Sequence, residues 1–143
     1  MRPLALLLAL IALLAAGCGD DGDGGNGGGG GGNPVTAASF LECFDLAGFE
    51  AVKPKPREES ILAFQAKREG YEVEPVNVSK KGMLTPHAFL VFFESEAKAK
   101  EAMEKLKATS YGEVPPQQTG PAVIGYGDAE NRAAVEPAIG KCL

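Results

Sequence analysis

The chain has 143 residues, with 14 lysines and arginines against 19 aspartates and glutamates, so its formal net charge is −5. Charges of both signs are interspersed and form no basic stripe, which excludes nucleic acid as an expected partner. A single histidine and three cysteines leave few groups that could hold a metal, so we expect no metal and no cofactor.

The N-terminal segment has the three-part plan of a secretory signal. Residues 1–2 (MR) supply a short positive region, residues 3–16 are apolar, and Gly17 is the small residue that precedes a cleavage site. A transmembrane helix needs about 20 apolar residues, and this run is shorter. We therefore expect residues 1–17 to be a signal peptide that is removed.

Cys18 closes residues 13–18 (LLAAGC), directly behind the apolar run. This segment resembles the lipobox of bacterial lipoproteins, with Ala15 at a position where leucine is more common. The resemblance implies cleavage before Cys18 and attachment of fatty acyl chains such as palmitate, so that the protein is anchored in the cell membrane and faces the extracytoplasmic side. Two or three chains hold a protein stably, whereas one does so only marginally. In the alternative, ordinary secretory cleavage leaves Cys18 as a bystander.

The residues behind Cys18 predict a flexible tether, so that residues 18–33 are a lipidated cysteine and its linker. Residues 19–33 (GDDGDGGNGGGGGGN) contain no apolar side chain that a core could bury. Glycine-rich chains behave as coils, and fifteen such residues span roughly 20 Å.

The remaining residues, 34–143, are long enough for one small domain with a single core. Their first part predicts two helices. Residues 37–49 have apolar side chains at helical spacing, and residues 58–69 form a second helix, although residues 61–66 fit a strand equally well. The prolines of residues 53–56 (KPKP) make an extended connector.

The later part predicts strands and helices in the order β-β-α-β-α. Residues 71–78 alternate apolar and polar, and Pro75 marks an edge or a break in that strand. Residues 87–93 (HAFLVFF) are apolar almost throughout and predict a central strand. Ser95 caps the helix that follows, on whose outer face Glu101 and Lys105 are expected to pair at i,i+4. The domain is completed by this helix at residues 96–109, a loop at 112–121, a strand at 122–126 and a helix at 129–136, which Pro137 ends.

These elements predict an α+β fold. We expect a small two-layer sandwich with a β-β-α-β core and an N-terminal helix, in which the long helix crosses one face of the sheet. The β-β-α-β portion resembles ferredoxin-like folds, and that analogy carries no function.

Cys43 and Cys142 are the two cysteines that remain when Cys18 is lipidated. In an exported protein such a pair is expected to form a disulfide, which here closes almost the whole domain. The alternative is a reactive thiol, which no CxxC motif supports.

His87 is the candidate catalytic residue, because it is the only histidine of the chain. A general base needs an orienting acid and a nucleophile, and no sequence pattern supplies them, so we favour an ordinary histidine at a strand end. The junction at residues 125–128 (GYGD) lacks a phosphate-binding motif and predicts a turn with Asp128 as a helix cap.

An exposed recognition loop is the best candidate for a binding site. Its prolines limit the entropy lost on binding. A plain surface connection between helix and strand is the alternative. The loop consists of Pro115, Pro116, Gln117 and Gln118.

The domain also resembles small uncharacterised lipoproteins and secreted proteins of high-GC Gram-positive bacteria. Those proteins often begin with a cysteine-containing helix, like residues 41–43 (LEC), and end in Cys-Leu, like residues 142–143. We expect a membrane-anchored lipoprotein whose non-catalytic domain binds another envelope protein or a cell-wall component. Two alternatives stay open: a small extracytoplasmic enzyme that uses His87 and a carboxylate, and a structural accessory subunit of an envelope complex.

Overall fold

The computed structural model describes residues 34–109 and 114–143. The predicted signal peptide and tether, with Cys18, lie outside the described residues. Two 3-10 turns occupy Pro56–Glu58 and Lys107–Thr109. The helices and strands follow in the order α1 (Ala37–Cys43), β1 (Phe49–Val52), α2 (Ile61–Arg68), β2 (Val73–Lys80), β3 (Pro86–Phe93), α3 (Glu96–Leu106), β4 (Gln117–Thr119), β5 (Ala122–Tyr126) and α4 (Ala129–Gly140).

The strands form one antiparallel sheet in the order β1-β2-β3-β5-β4. Strand β3 lies at its centre, as the apolar run predicts. Helix α3 carries the chain from β3 to β4, and β5 then returns between these two strands. Because β5 is antiparallel to both neighbours, β3 and β4 are parallel to each other with one strand between them.

Helices cover both faces of this sheet. Leu90 and Phe92 point to one face and join the hydrophobic cluster of α1 and α4, whereas Val91 and Phe93 point to the other and join that of α2 and α3. The α+β class and the β-β-α-β core are therefore confirmed, with β4 added before the last strand. The expected two layers are three, because β3 is apolar on both faces and each face has to be covered.

Each α-helix begins at a side chain that caps its free N–H groups, which fixes where the helix starts. Ser95 accepts a hydrogen bond from the Lys98 N–H and Asp128 from that of Asn131, so both predicted caps are confirmed. Ser60 does the same for α2, which is a helix and not a strand. Thr36 forms a reciprocal capping box with Ser39 at α1.

The first predicted helix is too long, and a strand was missed behind it. Helix α1 ends at Cys43, since Phe44 already has an extended backbone (φ −66°, ψ 112°). Gly48 has a φ of 82°, which turns the chain into β1. The ring centroids of Phe40 and Phe44 are 5.6 Å apart. The i,i+4 spacing of these apolar residues therefore extends past the end of the helix, which is why the sequence predicts a longer one.

Pro75 lies in the interior of strand β2, and Pro137 lies in the interior of helix α4. Strand β1 pairs with β2 only from Asn77 onward, so Pro75 has β3 on one side and no strand on the other, as its predicted edge position requires. Pro137 was expected to end the last helix, and that prediction is wrong, because α4 continues to Gly140. Ala133, whose carbonyl loses its helical donor to the proline, is exposed, so water can take that donor's place.

The continuation of α4 brings the C-terminus to α1, and the expected disulfide is present. Cys43 and Cys142 are 99 residues apart in sequence, and their Cα atoms are 5.6 Å apart. The bridge ties α1 to the residues directly after α4, and Cys142 packs against the hydrophobic cluster on that face of the sheet. Within the described ranges, no helix is long and apolar enough to cross a membrane.

Reduction of the disulfide, or the double substitution Cys43→Ser/Cys142→Ser, is expected to lower the free energy of unfolding by about 4–5 kcal/mol, because the unfolded chain regains the entropy of a long loop. Urea denaturation of the oxidised and reduced protein measures the difference. Cys18→Ser is the matched control, since it removes a thiol and keeps the bridge. Equal urea midpoints for the oxidised and reduced protein would contradict the prediction.

Candidate functional site

A charged cleft lies at the end of the sheet where β2 begins and β3 ends. Its volume is about 390 Å³, and the aromatic rings of Tyr71 and Phe93 meet edge to face in its wall at 5.6 Å. The other side is formed by the exposed face of α3. Four carboxylates and two amines line it, those of Glu69, Glu72, Glu94, Glu101, Lys98 and Lys105.

The hydroxyl of Tyr71 organises one wall of the cleft. It donates a hydrogen bond of 2.9 Å to Glu101 Oε1, while Lys98 Nζ lies 3.4 Å from Glu101 Oε2. Lys105 Nζ lies 3.9 Å from carboxylate oxygens of both Glu69 and Glu101, and 5.2 Å from the centre of the Tyr71 ring. The hydrogen bond from Tyr71, and then the one from Lys98, lower the pKa of Glu101. The carboxylate therefore stays ionised to a lower pH than an isolated glutamate.

A second, more apolar groove adjoins the cleft. It has a volume of about 370 Å³ and lies between the N-terminal end of the domain at Pro34 and the neighbouring ends of β2 and β3. The groove shares Glu72, Phe93 and Glu94 with the cleft, so the two meet at the ends of β2 and β3, and we name them together the concave surface. An apolar trough beside an excess of carboxylates suits a ligand with a hydrophobic part and a cationic group.

His87 is the second residue of β3 and lies at the end of the strand that is opposite this surface. A β-bulge leaves it without a cross-strand partner, and its ring stands edge-on to Phe49 at 5.1 Å. Its Nδ1 atom is buried and has no hydrogen-bond partner among the described residues. The part of the chain that the structure describes thus supplies no carboxylate hydrogen-bonded to His87. The enzyme hypothesis stays a prediction.

The predicted recognition loop is partly a strand, which corrects the loop expected over residues 112–121. Gln117 and Gln118 belong to β4, Pro116 is buried, and Pro115 is exposed. The side chain of Gln118 donates a hydrogen bond of 2.6 Å to the Gly120 carbonyl, across the turn into β5. Residues 110–113 lie outside the described residues. A role in recognition stays a prediction.

Gln117 is held in place by a polar network on α4. With its amide oriented to match its neighbours, it accepts a hydrogen bond of 2.7 Å from Arg132 and donates one of 3.2 Å to Glu136. Arg132 in turn contacts both carboxylate oxygens of Glu136, at 2.8 and 2.9 Å, and lies over the ring of Tyr126. Burial raises the pKa of Tyr126 to about 12, so this tyrosine stays neutral. The network fixes strand β4 to α4 and leaves Gln117 little freedom to bind a partner.

The sequence predicts one ion pair of the cleft. The pair Glu101 and Lys105 is predicted by its i,i+4 spacing, and it is present. Tyr71 was missed, because it lies 30 residues before Glu101 and reaches it only when the β2–β3 hairpin folds against α3. An aromatic residue at the start of a strand carries no local signal for such a contact.

Tyr71→Phe is expected to raise the pKa of Glu101 toward its ordinary value of 4.5, because the hydrogen bond that most favours the carboxylate is lost. The stability from the lowered pKa is present above 4.5 and disappears as the pH falls through the lower folded value, so the advantage of the wild type shrinks in acid. An NMR titration of the glutamate carboxyl carbons measures the shift.

Tyr126→Phe is the matched control for this titration, because it removes a hydroxyl from a ring that lies among Arg132 and the α4 network. It is expected to leave the titration of Glu101 unchanged. The prediction is wrong if Glu101 titrates identically in the wild type and in Tyr71→Phe.

Comparison of the chain with protein-family models, with curated proteins and with solved structures finds no match in any of the three. What the protein does must therefore be inferred from its own residues. Those that bear on function are the lipobox-like leader, the disulfide of the domain, and the concave surface that includes Tyr71 and Glu101.

Proposed function

We propose that this protein is a bacterial lipoprotein, anchored through lipid on Cys18 to the extracytoplasmic side of the cell membrane, and that its domain is a non-catalytic binding module. The Cys43–Cys142 disulfide carries the proposal. Disulfides of this kind persist in oxidising compartments and are rare in the cytosol. The bridge also uses two of the three cysteines, which leaves Cys18 of the leader as the remaining thiol.

The leader supports the same conclusion from the opposite end of the chain. A short positive start, an apolar run and a small residue before Cys18 predict export, and export is what the disulfide requires. A domain that binds a partner at the membrane needs both attachment and reach. The acyl chains supply the first, and the glycine-rich residues 19–33 supply the second.

The concave surface at the ends of β2 and β3 is the binding site we propose. Its cleft has four carboxylates against two amines, so it favours a cationic group, and the adjoining groove offers apolar contact. An envelope protein or a cell-wall component that presents an amine beside a hydrophobic part fits this description. Pro34, where the tether joins the domain, borders the groove.

Metabolic labelling with a palmitate analogue in a bacterial host tests the anchor. The full chain is expected to become labelled and to appear in the membrane fraction, and Cys18→Ser is expected to lose both properties, because the sulfur that receives the lipid is gone. The double variant Cys43→Ser/Cys142→Ser keeps Cys18 and is the matched control, which should still be labelled. An unlabelled wild type, or label retained in Cys18→Ser, would overturn the anchor.

The binding module is tested with immobilised residues 34–143 and solubilised envelope material. Charge reversal in the cleft, by Glu72→Lys with Glu94→Lys, is expected to reduce capture of any specifically bound component about tenfold or more, since like charges then oppose its cationic group. Glu104→Lys is the control, because this exposed residue lies on α3 and pairs with Lys107. Equal capture by both variants, or no capture by the wild type, would contradict the proposed site.

A further inference from the structure

The hairpin between β2 and β3 ends in two exposed apolar side chains. Leu84 is fully exposed, at 100% of its reference area, and Met83 is exposed at 51%. The turn is well held, because the Met83 N–H donates to the Lys80 carbonyl at 2.9 Å and the Lys81 N–H donates to the Gly48 carbonyl at 2.8 Å. Residues 80–84 therefore form a defined protrusion, which we name the hairpin tip.

Positive charge accompanies the apolar side chains of the hairpin tip. Lys80 and Lys81 are both exposed, and neither forms an ion pair with another residue of the described ranges. Gly82 follows with a φ of 78°, a conformation that favours glycine and turns the chain sharply toward Met83. Two lysines without an ion pair in the described ranges thus directly precede the exposed Met83 and Leu84 in the hairpin tip.

We infer that the hairpin tip docks on an anionic lipid bilayer, as a second contact beyond the lipid proposed for Cys18. A convex pair of aliphatic side chains can enter between lipid headgroups, whereas a protein partner would have to offer a matching pocket. Lysine stems can lie along the apolar region while their ammonium groups remain at the headgroups. Basic residues near a negatively charged leaflet add attraction that falls off within a Debye length.

The position of the hairpin tip in the sheet gives this docking a direction. Glu72, Glu74 and Glu94 lie at the end of the sheet opposite the hairpin tip, because β2 runs its whole length between them. Glu50 and Asp128 also lie at the tip's end of the sheet, next to Ser79 and just after Tyr126, so the attraction of an anionic surface is local to the ammonium groups of Lys80 and Lys81. The domain then stands with the tip on the bilayer and the charged cleft turned toward the aqueous side.

The length of the chain before the domain permits this orientation. Strand β2 has 8 residues, so the hairpin tip lies roughly 25 Å from the end of the sheet where Pro34 enters. The fifteen residues from 19 to 33 reach about 50 Å when fully extended. Attachment at Cys18 and contact by the hairpin tip are therefore sterically compatible.

A tryptophan reporter tests the inference, since the chain contains no tryptophan of its own. Residues 19–143 carry both hydrophobic clusters and the disulfide, and a histidine tag in place of Cys18 attaches them to vesicles that contain a nickel-chelating lipid. In the variant Leu84→Trp, vesicles rich in phosphatidylglycerol are expected to shift the emission to shorter wavelength and to allow quenching by brominated acyl chains. Because the tag replaces the natural anchor, the result does not depend on lipidation of Cys18.

Matched variants separate docking from mere proximity to the vesicle. Phe64→Trp places the reporter on α2, at a side chain that is 63% exposed, and is expected to show no quenching. Lys80→Glu with Lys81→Glu, added to Leu84→Trp, is expected to reduce the quenched fraction at least about threefold, as are phosphatidylcholine vesicles.

Three results would overturn the inference. The first is an absence of quenching at position 84 in anionic vesicles. The second is equal quenching at positions 64 and 84, which would show that the domain contacts the bilayer without using the hairpin tip. The third is a shift in emission without vesicles that grows with protein concentration, which would assign the hairpin tip to a second copy of this chain.

Discussion

Leu90, Val91, Phe92 and Phe93 follow one another in β3, point to alternate faces of the sheet, and are all buried. Because both faces of the strand are apolar, both have to be shielded from water. Helices α1 and α4 cover one face, and helices α2 and α3 cover the other. Helix α2 packs closely on the sheet, because a Cβ atom added at Gly125 of β5 would lie 2.6 Å from the Leu62 side chain. The position of the cleft follows from this constraint, since α3 must pack on the face of β3 to which Phe93 points.

The disulfide and the sheet stabilise different parts of the domain. Cross-strand pairing fixes the centre, and the bridge ties the first helix to the last on one face. Helix α1 has 7 residues, of which only Ala37 and Phe40 are buried. Without the bridge, these two side chains would supply most of its contact with the core. Helices this short are marginal in water unless tertiary contacts support them.

Local signals in the sequence predicted the strand and the helix caps, and the count of cysteines in an exported chain predicted the disulfide. The apolar run of β3, the caps at Ser95 and Asp128, and the pairing of Cys43 with Cys142 are confirmed. The short strands β1 and β4 were missed, because three or four residues carry too little periodicity and their pairing depends on distant partners. In the cleft, Glu101 and Lys105 share a helix and were predictable as a pair, whereas Tyr71 arrives through tertiary folding.

The same short strands have a further consequence if the protein is anchored as proposed. Strands β1 and β4 form the two edges of the sheet, with 4 and 3 residues. Exposed edges are templates on which other chains can add strands, and natural proteins limit this risk by keeping edge strands short. Anchoring by lipid would confine many copies to two dimensions at high local density. Edge strands of this length offer few free backbone groups to a neighbour, and Pro75 removes one more where β2 extends beyond β1, so the addition of strands between crowded copies would be limited.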